Sequence, residues 1–140
     1  MPHPLHVPAR ASLRRAAATT VVASVLGAGT LLASPAQAAW TSGVLVHGGN
    51  VLVCKVPLDG GDLRVRVRLD NRKAEHAHIG LLYRQRDGKQ TNVKVRAAAG
   101  KQSATKSLRL TRGDVVGSGI SEVTVGGLGG TMRRASIARC

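Results

Sequence analysis

The chain has 140 residues and carries 21 Lys and Arg against 7 Asp and Glu, a formal net charge of +14. Phe is absent and Trp and Tyr occur once each. That composition excludes a large aromatic core and disfavours the stacking platforms with which single-stranded nucleic acid is usually bound.

Residues 1–38 read as a signal peptide. Arg10, Arg14 and Arg15 are the only charged side chains there, and an apolar run from Val21 to Leu32 follows them. Ala36-Gln37-Ala38 supplies a small-residue cleavage site, which predicts cutting between Ala38 and Ala39. The run is shorter than the roughly 20 apolar residues of a membrane span. Arg14-Arg15 leaves the twin-arginine route open beside the general secretory one. The expected mature protein is one secreted domain, 39–140. It keeps 18 basic and 7 acidic residues, a charge of +11, so the basic excess belongs to the domain itself.

Along that domain the first expected element is a hairpin. Val44–Val46 and Val51–Val53 are apolar runs joined by His47-Gly48-Gly49-Asn50, a tight-turn composition. Leu63–Asp70 (LRVRVRLD) alternates without a break. Period two predicts a strand with Leu63, Val65, Val67 and Leu69 on a dry face and Arg64, Arg66 and Arg68 on a wet one. Ile79–Arg84 is an apolar run suited to a central strand, and Thr91–Arg96 alternates again. An Asp87-Gly88 turn joins these two. Ser107–Leu110 is a short strand followed by a turn at Arg112-Gly113-Asp114. Val115–Val125 holds one or two strands, with Gly117 and Gly119 expected at a bulge or bend. Gly126–Gly130 is expected to be a flexible turn, and Thr131–Ala138 the last strand.

About eight short strands separated by turn residues predict an all-β domain. A small antiparallel β-sandwich is the expected form, with a small β-barrel as the alternative. Only Arg72–His76 and Ala97–Ala99 have the composition of a helical turn. Cys54 and Cys140 are the only cysteines. In an exported chain they are expected to pair, which requires the first hairpin and the final strand to be neighbours, in one sheet or across the sandwich.

The residues with functional promise are cationic. Arg64, Arg66 and Arg68 would stand about 6.6 Å apart along one face, a spacing at which each guanidinium can engage a phosphate or carboxylate. Lys94 and Arg96 repeat the pattern on a second strand. The expected partners are anionic cell-wall polymer, acidic polysaccharide or lipid headgroups; nucleic acid is not favoured. A solvated face that keeps the sheet soluble explains the same pattern without a ligand. Two alternative functions follow from other features. A protein-binding module, such as a protease inhibitor or an interbacterial antagonist, would use a loop at Arg72–His76 or Gly126–Gly130. A hydrolase would build on His47, His76 or His78. His76 and His78 would share a face if both lay on a strand, but no further spacing supports a metal site. No G-x-S-x-G, H-E-x-x-H or phosphate-loop motif occurs. The expected protein is therefore a non-enzymatic binder without a cofactor.

Overall fold

The computed structural model describes residues 39–122 and 126–140. The signal peptide and its cleavage site, expected within residues 1–38, lie outside the described residues. Among the described residues eight strands form: β1 (Thr41–Val46), β2 (Gly49–Pro57), β3 (Leu63–Asp70), β4 (His78–Arg86), β5 (Lys89–Ala97), β6 (Lys106–Leu110), β7 (Val115–Glu122) and β8 (Gly126–Met132). Two short 3-10 turns, Asp59–Gly61 and Arg134–Ser136, are the only helical segments among the described residues. Neither Arg72–His76 nor Ala97–Ala99 forms one: the first lies in the connection between β3 and β4, and the second begins on the last residue of β5 and runs into the turn after it.

The strands make two antiparallel four-stranded sheets. Sheet I has the order β1-β2-β3-β6 and sheet II the order β5-β4-β7-β8. The two pack face to face as a sandwich, the expected architecture. β3 pairs with β6 in one sheet and β4 with β7 in the other, so the chain crosses between sheets after β3, β5 and β6. Period two decides what lies between the layers. Val51 and Val53 of β2, Val65, Val67 and Leu69 of β3, and Leu108 and Leu110 of β6 line one inner face. Leu82 of β4, Val95 and Ala97 of β5, and Val116 and Ile120 of β7 line the other. Among the described residues the hydrophobic cluster between the layers is thus wholly aliphatic.

The hairpin turns follow their sequences. His47 and Gly48 both have positive φ, and so do Asp87 and Gly88, as two-residue hairpin turns demand. The first crossover is organised by Asn71, which is fully buried. Its side-chain amide donates to the carbonyls of His76 (2.8 Å), Ala97 (3.2 Å) and Ala98 (3.0 Å).

Three expectations are corrected. Gly126–Gly130 is not a turn: it is most of β8, paired with β7 from Glu122↔Gly126 to Val116↔Met132. Hydrogen bonding to β7 holds the run extended although glycine has little strand preference of its own. The final strand is displaced accordingly, because the chain leaves β8 at Met132 and enters a 3-10 turn. Gly117 and Gly119 form no bulge, since the β7 register is continuous against both neighbours. The irregularity among the described strands is in β1, between Ser42 and Leu45.

The expected disulfide joins Cys54 and Cys140, with Cα atoms 5.0 Å apart. It draws the C-terminal segment alongside β2 just where β1 has not yet begun. The Lys55 amide donates to the Ala138 carbonyl (2.8 Å), and the Cys140 amide donates to the Lys55 carbonyl (3.0 Å). Ile137 is carried into the core, and Lys55 Nζ donates to the carbonyls of Arg134 (2.7 Å) and Ala135 (3.2 Å). The bond closes a sequence separation of 86 residues. The chain-entropy model assigns such a loop about 4–5 kcal/mol of stabilisation. Among the described residues no helix is long and apolar enough to cross a membrane.

Candidate functional site

β3 projects Arg64, Arg66 and Arg68 from the outer face of sheet I, opposite Val65, Val67 and Leu69 in the core. The three are not equivalent. Arg64 and Arg66 are exposed, whereas Arg68 is half-buried and its guanidinium lies 4.1 Å from the centroid of the Trp40 ring. Cross-strand, Arg66 faces Cys54 and Ser107, and Arg64 faces Val56 and Arg109. Two arginines directly opposite one another repel, a cost that cross-strand pairing normally avoids.

The acids at the two ends of β3 do not neutralise the ladder. Asp70 accepts from Arg72 Nη2 at 2.6 Å, and Asp62 accepts from Arg109 Nη2 at 2.8 Å. The Arg72 hydrogen bond holds the Asp70 carboxyl below its ordinary value against a smaller opposing effect of burial. Among the described residues, Arg64 and Arg66 have no acidic partner within ion-pair distance.

Lys94 and Arg96 are exposed on β5, flanking the buried Val95. They project from the outer face of sheet II. The sandwich core therefore separates the two cationic groups that the sequence offered as one set. Beside Lys94 and Arg96 runs an apolar row, Leu81 and Ile79 of β4, set by the pairs Leu81↔Lys94 and Ile79↔Arg96.

Two carboxylates that sequence reasoning left isolated are buried at opposite ends of the sandwich. Asp114 closes the turn before β7: its Oδ2 accepts from the Thr111 amide (2.6 Å) and hydroxyl (3.1 Å). Arg86 Nε lies 3.0 Å from Oδ1 and Arg84 Nη1 3.5 Å from Oδ2. Burial pushes this carboxyl up, but the Thr111 donors and the two guanidiniums outweigh it and hold it below its ordinary range. The Thr-x-x-Asp spacing was the available signal for that cap.

Glu122 is the second. It ends β7 in phase with the inward-facing Val116, Ser118 and Ile120. His47 Nδ1 lies 3.0 Å from its Oε2 and His76 Nε2 lies 4.0 Å from its Oε1. The His47 hydrogen bond is the main reason its carboxyl sits below the ordinary value. His76 and His78 do not share a face, a correction to the strand reading. His76 precedes β4 and is exposed, while His78 is fully buried with Nδ1 against the His76 carbonyl (3.1 Å). A carboxylate that orients an imidazole is half of a general-base arrangement. Among the described residues, however, no hydroxyl or thiol is hydrogen-bonded to His47 or His76. No group of three or more His, Cys, Asp or Glu there is arranged to hold a metal ion. The Arg72–His76 segment is the connection between β3 and β4 that carries the His76 contacts to Asn71 and Glu122, and the Gly126–Gly130 segment is a strand and not a loop.

Comparison with protein-family models, with curated proteins and with solved structures found no match for this chain.

Proposed function

We propose that the domain is an exported, non-enzymatic binding protein that engages anionic polymers or headgroups through the outer face of sheet I. The carrying observation is that both acids flanking β3 are taken up by Arg72 and Arg109, leaving Arg64 and Arg66 exposed and uncompensated beside one another. Arg109 stands opposite Arg64 with its own charge met by Asp62, so the uncompensated charge of this face falls on Arg64 and Arg66. A repeating anion laid along β3 would meet a guanidinium at every second residue, and it would relieve the repulsion that the bare face carries. The signal-like residues 1–38 and the disulfide favour a site of action outside the cell, where wall polymers, acidic polysaccharides and lipid headgroups are the available polyanions.

The test compares two double variants of equal charge. Arg64→Gln with Arg66→Gln empties sheet I; Lys94→Gln with Arg96→Gln empties sheet II. On a phosphorylated resin and on anionic vesicles, the wild type should be released as salt rises, because the screening length contracts from about 10 Å at 0.1 M to 3 Å at 1 M. The sheet I variant should elute at much lower salt than the sheet II variant. Equal losses overturn the proposal, since they leave diffuse charge as the whole cause.

A further inference from the structure

Among the described residues four strands are sheet edges: β1 and β6 in sheet I, β5 and β8 in sheet II. An edge exposes unpaired backbone donors and acceptors, and proteins guard it with bulges, charge, proline or brevity. Three of these edges are guarded. β1 carries the irregularity between Ser42 and Leu45. β6 has only five residues and bears Lys106 and Arg109. β5 bears Lys89, Lys94 and Arg96. β8 has none of these devices. Its seven residues, GGLGGTM, include no charge and no proline, and they run in unbroken register with β7. Leu128 at its centre is 65% exposed.

The surface beside this edge is shaped. On the outer face of sheet II, Ile79, Leu81 and Tyr83 form an apolar row along β4. Next to it β7 and β8 present bare backbone at Gly119, Gly127 and Gly129, interrupted by Ser121 between Ile79 and Gly127. The result is a groove of about 380 Å³ lined by Ile79, Leu81, Tyr83, Lys94 and Ser121, with the backbone of Leu128 at its β8 margin; the Leu128 side chain, opposite the inward-facing Ile120, leaves the other face of the strand. Side chains of a strand added beside β8 would find no side chain on Gly127 or Gly129 and would lie over this glycine floor.

We propose that β8 is a strand-addition site for an extended, acidic-flanked segment of another protein. Main-chain hydrogen bonds to β8 would supply the pairing, and alternate apolar side chains on the groove would supply the selectivity. Charge selects the occupant. Lys94 lines the groove, exposed Arg133 follows β8, and the domain carries +11. A second copy would bring that charge against itself, whereas an acidic partner is drawn in. This site lies on the other sheet from the Arg64/Arg66 face and does not depend on it.

The probe is a synthetic peptide of alternating Leu and Thr with two Asp at each end. Binding is read by fluorescence anisotropy, and hydrogen exchange locates it. Saturable binding should slow exchange along Gly126–Met132 and leave β5 and β6 unchanged. A peptide of the same charge with a central proline should not bind. Gly130→Lys is the decisive variant, because a Cβ added at Gly130 meets nothing within 4 Å; an unchanged urea midpoint shows that the fold is kept. It should weaken peptide binding at least about tenfold, or about 1.4 kcal/mol, although it adds a charge attractive to the peptide. Leu128→Lys should act alike, and Thr91→Lys on β5 should not. The Arg64→Gln, Arg66→Gln double variant should bind the peptide normally, which separates this proposal from the polyanion reading. Unprotected β8 at about 1 mM peptide overturns it. So does equal binding by the proline peptide or by Gly130→Lys. Dimerisation of the peptide-free protein that Gly130→Lys abolishes would reassign the edge to a second copy, and likewise overturns it.

Discussion

Tyr83 lies directly across Gly117. The two are paired across β4 and β7, and a Cβ built on Gly117 would collide with the Tyr83 ring and with the Gly130 carbonyl. The only tyrosine of the domain is therefore seated on bare backbone. Gly130, on the neighbouring strand, faces open space.

Gly117→Ala should consequently destabilise the domain by about 1–3 kcal/mol, the usual range for overpacking. Gly130→Ala should change it by less than about 0.5 kcal/mol. Urea unfolding of the two variants checks this. A similar midpoint for both would mean that the Tyr83 ring moves aside freely.

The arginine ladder should also divide under mutation. Arg68 stacks on Trp40 and its Nε is buried without a hydrogen-bond partner among the described residues. Its guanidinium therefore belongs to the packing of the β3 end, unlike the exposed Arg64 and Arg66. Arg68→Gln should cost about 1 kcal/mol through the lost cation–π contact. Arg64→Gln and Arg66→Gln should each cost under about 0.5 kcal/mol. Denaturant midpoints of the three single variants decide it, and equal costs would remove the distinction.

What the sequence revealed follows from which forces are local. The alternation in Leu63–Asp70 is a local pattern, so β3 and its two faces could be read directly. The Asp87-Gly88 turn was legible for the same reason, because it needs positive φ at adjacent residues. β8 was not legible. Its glycines lack side chains to alternate, and only pairing with β7 holds them extended. Glu122 was missed because its partners His47 and His76 lie 75 and 46 positions away and meet only when the sheets close. The division of the cationic residues between sheets was equally hidden. It depends on β3 and β5 joining different sheets, which no alternation pattern specifies.

The Glu122 cluster predicts a specific acid sensitivity. Its carboxylate is faced by His47 from the β1–β2 turn, by His76 before β4 and by His78 within β4, and Lys73 and Glu75 line the same recess. The His47 hydrogen bond leads the depression of its pKa below the ordinary 4.5, and the charge of His76 adds to it. A depressed carboxyl stabilises the folded state fully above its unfolded value, and that stabilisation disappears as pH falls through the folded one. Glu122→Gln should therefore melt below the wild type at pH 7, and the gap should narrow progressively below pH 4.5. Asp70 and Asp114 are depressed too, but they titrate in both proteins and cancel in the difference. His47→Ala should raise the pH at which the remaining Glu122 contribution is lost, because it removes the leading cause of the depression. Melting temperatures of the three proteins between pH 7 and 3 make the measurement. A gap that stays constant down to pH 3 would show that the folded protein draws no pH-dependent stability from this carboxylate.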